Sequence, residues 1–274
     1  RRLPRRLQGR RPPLMVSVVL VGVALAAPDA ETGALLAGLA GCASCHTAAD
    51  GAPYAGGYAI ETRFGTFYGT NLTPDPETGL GEWTEHDLLR ALTRGRSPKH
   101  HPYWPAFPYT SFRRLTDEDV GHLWAFLRSL EPVVAEEREQ EANAPGIGLW
   151  GWRRVAFHAR DWKPLDDPEL DRGAYLVEVV GHCGECHTPR NGIGQLKRKE
   201  ALAGSDEPPH PAPDIRPETL KWTLGDWDTF LTMGMMPDGD FAGSGMRHVI
   251  RDGTAKLPDA DRAAMIRWLM TGSD

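Results

Sequence analysis

Cys42-Ala-Ser-Cys45-His46 and Cys183-Gly-Glu-Cys186-His187 decide the reading of this chain. Both are C-x-x-C-H, and together they use all four of its cysteines. In that spacing two thiols add to the vinyl groups of one heme, and the adjacent histidine is carried beneath the iron as its proximal ligand. A lone C-x-x-C also serves as a redox disulfide or as half of a zinc site. Recurrence of the histidine at the same place in both copies selects heme. The expectation is two covalently bound c-type hemes, one on Cys42, Cys45 and His46, the other on Cys183, Cys186 and His187, with His46 and His187 on the metals.

The surrounding sequence repeats as well. Gly33-Ala-Leu-Leu leads to the first motif, and Gly173-Ala-Tyr-Leu leads to the second with a single inserted residue. Trp83-Thr84, followed by Leu88, Leu92 and Gly95, matches Trp222-Thr223, followed by Trp227, Leu231 and Gly234. Leu115-Thr-Asp-Glu-Asp119 matches Leu257-Pro-Asp-Ala-Asp261. Three anchors in the same order, about 140 residues apart, describe one duplicated module. Each copy reads as helix, heme loop, long irregular segment, helix, turn and helix. Thr84 and Thr116 are placed as N-caps, and Val120, Leu123, Trp124 and Leu127 recur at helical spacing. Nothing strand-like is sustained. The fold class expected is all-α, with two tandem cytochrome c-like heme domains at 28–131 and 171–274. The segment 132–170 links them, and its Leu149-Trp150-Gly-Trp152 run is too aromatic for a flexible tether, so it is expected to pack across both. The 30 glycines and 23 prolines fit short helices separated by much loop.

The sixth ligands distinguish the copies. Met246, in Gly243-Ser244-Gly245-Met246, lies downstream of its heme loop and before the closing helix, where a methionine ligand of a high-potential heme belongs. Met233, Met235 and Met236 compete with it. The offset between Trp83 and Trp222 carries Met246 back onto Phe107, which cannot ligate iron. No methionine stands between Met15 and Met233. The first heme therefore takes a histidine, His101 or alternatively His100, or has an open position. His86, His122 and His158 are background, the first two as surface residues of helices. No residue is assigned a catalytic role.

The N-terminus has six arginines within Arg1–Arg11 and then an apolar run, Leu14 to Ala27, ending in small residues. This is the pattern of a signal peptide or N-terminal anchor over 1–27, and the run is shorter than the ~20 residues of a spanning helix. A periplasmic, exported protein is expected, with membrane association through the N-terminus as the variant. The formal charge of −6 falls further once the leader arginines are removed. That balance argues against nucleic acid and favours a redox partner with a basic docking patch.

Phe67-Tyr-Gly-Thr-Asn71-Leu-Thr-Pro-Asp75, Gly79-Leu-Gly-Glu-Trp83-Thr84 and Tyr103-Trp-Pro-Ala-Phe-Pro-Tyr109-Thr-Ser111 resemble the cytochrome c subunits of bacterial membrane alcohol and gluconate dehydrogenases. Arg172-Gly-Ala-Tyr-Leu176 and the run from Gly181 to Asn191 fit the same family. The resemblance implies a diheme electron carrier between a dehydrogenase donor and a cytochrome, oxidase or quinone-linked acceptor. Those subunits carry three heme domains, against two expected here, and methionine at the position of Phe107. The competing class is a heme enzyme, reducing peroxide or oxidising a sulfur compound at an open or exchangeable first heme.

Overall fold

The computed structural model describes residues 27–143, 145–157, 162–207 and 211–272. The expected leader up to residue 26, His158 and the last two residues lie outside that range. The chain is mostly helical.

Helix α1 (Ala30–Leu39) starts at Asp29, whose carboxylate accepts from the Thr32 N–H at 2.7 Å. Its sequence is apolar on more than one side because it is wedged rather than laid on a surface. At Gly33 it crosses α5 (Asp117–Ser129) so closely that a Cβ there would lie 2.0 Å from the His122 carbonyl oxygen. At Gly38 it meets the backbone of Asp252, where a Cβ would fall 2.2 Å from the carbonyl oxygen. One helix thus touches both repeats.

The second copy repeats the crossing. Helix α7 (Pro168–Tyr175) is capped by Asp167, which accepts from the Glu169 and Leu170 N–H groups. Its Gly173 passes α12 (Asp259–Thr271) with the same closeness, 2.0 Å from a built Cβ to the Ala264 carbonyl oxygen. The residue inserted in this copy is absorbed as a widened π-turn over Leu176–Val180, the usual consequence of one extra residue inside a helix.

Between these crossings the repeat holds to individual atoms. Helices α3 (Glu85–Arg94) and α10 (Leu224–Met233) both open with a capping box, Thr84 with Asp87 and Thr223 with Asp226. Both close on a left-handed glycine, Gly95 and Gly234. A tight antiparallel turn follows each, bridging Arg96 to Pro102 and Met235 to Phe241. The left-handed residue of the turn is His100 in the first copy and Gly239 in the second. Thr116 caps α5 as its context predicts, accepting from the Asp119 N–H.

Two departures from expectation concern the first copy and the segment that follows it. A small antiparallel sheet is present, β1 (Ala59–Thr62), β2 (Gly65–Tyr68) and β3 (Glu141–Ala142), in the order β1-β2-β3. Strands of four residues or fewer are too short to display alternation in sequence. His122 is buried rather than a surface residue of α5; its Nδ1 accepts from the Asp29 N–H at 2.8 Å and ties α5 to the cap of α1.

Apolar side chains of both copies form one continuous core, from Leu36, Val120 and Leu127 through Leu39 to Val177, Val180, Met265 and Ile266. The connecting segment forms helix α6 (Gly146–Ala156). Leu149 and Arg153 are buried on the side of the first copy, where Arg153 donates to the carbonyl oxygen of Arg94 at 2.7 Å. Trp152 Nε1 donates to the Ile193 carbonyl in the second copy at 2.7 Å. The segment therefore packs across both copies, as its aromatic content predicts. Among the described residues no helix is long and apolar enough to cross a membrane.

Candidate functional site

The first motif begins at Gly41, whose left-handed backbone turns the end of α1 into the single turn α2 (Cys42–Cys45). The His46 N–H closes that turn on the Cys42 carbonyl at 3.0 Å. His46 Nδ1 then donates to the Thr70 carbonyl at 2.7 Å. The second motif forms α8 (Gly184–His187), and His187 Nδ1 donates to the Pro213 carbonyl at 2.8 Å. In each case a backbone carbonyl fixes the ring and selects the tautomer that leaves Nε2 with its lone pair, as supporting partners of metal-bound histidines do.

The frame around each histidine is duplicated too. Its carbonyl accepts from a glycine N–H at 2.8 Å, Gly56 for His46 and Gly204 for His187. Both glycines have φ of 84° and are pressed against neighbouring backbone at less than 3 Å from a built Cβ, so no other residue fits without movement. The threonine after each histidine accepts from a backbone N–H at 3.0 Å, Tyr54 on Thr47 and Leu202 on Thr188.

The four cysteines are unpaired. Burial, reinforced by the neighbouring Cys45, pushes the Cys42 thiol up to about 12; burial likewise pushes Cys45 up to about 11 and Cys183 to about 12. Burial raises the pKa of Cys186 too, so all four thiols are disfavoured as free thiolates. Burial also lowers the pKa of His46 and His187 against the opposing pull of their carbonyl partners, which keeps both rings in the neutral form a metal requires. Among the described residues no three His, Cys, Asp or Glu side chains converge as a zinc site demands. Two thiols one helical turn apart, with one oriented neutral imidazole beside them, fit covalent attachment of heme.

The two motifs are close to each other. Cys186 is near enough to Cys45 to raise its pKa. His182, immediately before the second motif, has Nε2 3.2 Å from the Ala40 carbonyl oxygen and meets the Phe112 ring edge-on at 5.2 Å.

The downstream residues separate. Met246 lies on the short helix α11 (Ser244–His248), half-buried and packed on the shared core. Phe107 also packs on that core, within an aromatic group of Tyr103, Tyr109 and Phe112 at centroid distances of 5.7, 6.2 and 6.0 Å. His100 and His101 are exposed at the tip of the turn after α3. Their backbones are engaged there, Arg96 donating to the His100 carbonyl at 3.0 Å and the His101 N–H to the Ser97 hydroxyl at 3.1 Å.

One residue of the site escapes a motif reading. Glu185 occupies a variable position of the second C-x-x-C-H, yet its carboxylate is buried between the copies. Thr110 and Ser111, on α4 (Tyr109–Phe112) just after Phe107, donate to its Oε1 at 2.9 and 2.6 Å. Arg190 donates to Oε2 at 2.6 Å. Burial works to raise its pKa, but Arg190 and the Ser111 hydroxyl outweigh that and hold the carboxyl below its ordinary range. The only sequence signal was an acid inside an otherwise apolar attachment loop.

Residues 30–131 match the cytochrome c family model. The chain is 42% identical over 253 residues to a diheme cytochrome c-type protein of Cereibacter sphaeroides, covering 88% of this chain and 85% of that one. It is 36% identical over 278 residues to the cytochrome c subunit of a quinone alcohol dehydrogenase of Gluconacetobacter polyoxogenes, and 34% over 258 residues to that of a gluconate 2-dehydrogenase of Pantoea cypripedii. Those alignments cover 92% and 87% of this chain but only 58% of each subunit. The chain belongs to the cytochrome c family, whose members bind c-type heme covalently and transfer electrons, alongside diheme cytochromes c and the cytochrome c subunits of dehydrogenases.

Proposed function

We propose that the chain is an exported, periplasmic diheme electron carrier with tandem heme domains at 28–131 and 171–274, joined by 132–170. Cys42, Cys45 and His46 hold one heme, and Cys183, Cys186 and His187 the other. The observation that carries this reading is the duplicated frame of His46 and His187, down to the carbonyl, the left-handed glycine and the threonine. Bound heme supplies reversible one-electron chemistry; the protein supplies orientation, burial and axial ligands. Met246 completes the second site, which makes it the higher-potential one. His101, or alternatively His100, completes the first, at lower potential. With heme held at both sites, electrons would pass from a dehydrogenase-type donor through the first site to the second and on to a respiratory acceptor, a cytochrome, an oxidase or a quinone-linked enzyme. The contact of His182, just before the second motif, with the Ala40 carbonyl, just before the first, supports that internal step.

A second reading rests on the exposed position of His100 and His101. With both rings at the tip of a turn, the first site has an open or exchangeable position suited to peroxide reduction or sulfur-compound oxidation. Low-temperature electron paramagnetic resonance of the oxidised holoprotein separates the two. The carrier reading expects one His/Met signal and one bis-His signal, the latter lost in His101→Ala. A high-spin signal in the unaltered protein, with carbon monoxide binding after reduction, moves the enzyme reading to the front.

A further inference from the structure

This acidic chain gathers arginine in one place. A hollow of about 490 Å³ lies between the end of α3 and helix α6. Arg94 and Arg96 enter it from the first, Arg153 and Arg154 from the second, with Trp150 beside them. Arg90 also borders it but is paired with Asp87 at 2.5 Å. Arg153 is committed to the fold: it is 8% exposed, donates to the carbonyls that end α3, and lies over the rings of Tyr109 and Phe157.

The other three arginines have no carboxylate partner among the described residues. Arg94 and Arg154 are exposed. Arg96 lies over the Trp150 ring at 5.1 Å. Helix α6 adds an apolar outer face, with Trp150 52% and Ile147 80% exposed. Arg96 is held by the His100 carbonyl and the Trp150 ring, while the exposed Arg94 and Arg154 present their charge to solvent in a chain of net negative charge. Arginine around an exposed tryptophan is the composition of an interface centre.

We infer that this face is a docking surface for an acidic protein partner, one that sets carboxylates against Arg94, Arg96 and Arg154 and a shallow apolar notch against Trp150. The inference rests on the electron-transfer reading and names the partner surface for it. Charge complementarity selects the acid, and the protruding indole selects a protein over a small anion. The position is apt for electron exchange. Arg96 opens the turn that leads to Phe107, and Arg153 packs over Tyr109, next to the hydroxyls that bind Glu185. A partner bound here lies against the first copy. The basic docking patch is then on this chain, the reverse of what its net charge alone suggests.

The test is calorimetric titration of the holoprotein with a random Glu/Leu copolymer at low and physiological salt. Arg94→Glu/Arg154→Glu, at two exposed positions, is expected to weaken binding by roughly tenfold or more at low salt, with the difference shrinking as the salt screens it. Trp150→Ala is expected to weaken the copolymer by several-fold while leaving pure polyglutamate unchanged. Equal binding by the unaltered and charge-reversed proteins overturns the inference. So does full competition by millimolar inorganic phosphate, which indicates a small-anion site, or preferential binding to phosphatidylglycerol vesicles, which indicates a membrane face. The optical spectrum keeps the two readings apart: reducible heme without copolymer binding removes only the docking surface, and absence of reducible heme removes the carrier reading.

Discussion

The two attachment sites agree on one side and differ on the other. Beneath each motif the histidine, its carbonyl partner, the left-handed glycine and the threonine are reproduced with hydrogen bonds that match to within 0.1 Å. On the downstream loops the copies diverge: Met246 stands where the repeat places Phe107, and Gly239 where it places His100. Covalent attachment tolerates little variation, since two thiols and one imidazole must meet fixed points of a rigid macrocycle. The sixth position is where potential is set, so on the proposed reading it is free to differ between the copies, and the proposed directional step between them requires that difference. On the proposed reading the duplicated half of each site would hold the heme, and the divergent half would distinguish the two.

Changes that tie or untie the copies should have the largest effect. Glu185→Ala strands the Thr110 and Ser111 hydroxyls and removes the carboxylate from the part-exposed Arg190, a loss of about 3 kcal/mol, the upper end of the cost of leaving buried polar groups unpaired. Denaturant unfolding of the holoprotein measures it, and a loss below about 1 kcal/mol would show that the carboxylate does not join the copies. Next come the helix crossings. Gly33→Ala and Gly173→Ala each push a methyl group against a carbonyl oxygen at 2.0 Å, which should cost roughly 1–3 kcal/mol or more through displaced helices. The two losses should be similar, because the crossings are; a large inequality would break the comparison. Smaller still are the capping boxes: Thr84→Ala and Thr223→Ala should each cost about 1 kcal/mol, seen as a lower Tm.

The smallest expected effect separates the sites by pH. Asp214, next to the carbonyl that orients His187, is held down to about 2 by hydrogen bonds from Arg216. A depressed carboxylate contributes its full stabilisation above the ordinary aspartate value, and the contribution drains as pH falls through about 2. Acid titration should therefore loosen the His187 loop between roughly pH 4 and pH 2. Among the described residues Thr70 has no Asp–Arg pair beside it; its loop holds Asp75, lowered instead by hydrogen bonds from Thr78. Simultaneous loss of both heme spectra at higher pH would show that Asp214 does not govern the order.

Local patterns were readable from sequence, and long-range partnerships were not. C-x-x-C-H, the repeat anchors, and the caps at Thr84 and Thr116 are interactions among near neighbours, and all are legible. The aromatic run at Leu149–Trp152 betrayed its packing by composition. Glu185 was illegible as anything but a variable position because its hydroxyl partners lie 74 and 75 residues away. His122 reads as a surface residue of α5 until α1 arrives, since its partner is the Asp29 backbone, 93 residues back. The sheet was missed because its third strand contributes only Glu141 and Ala142.

Both copies should hold heme covalently by the same duplicated frame. Mass spectrometry of the purified, denatured holoprotein tests it directly, because only covalently attached heme survives denaturation. The expected mass is the polypeptide plus two hemes, falling to one heme in Cys42→Ala/Cys45→Ala and to one in Cys183→Ala/Cys186→Ala. A single heme in the unaltered protein, or loss of both on altering one motif, would contradict it.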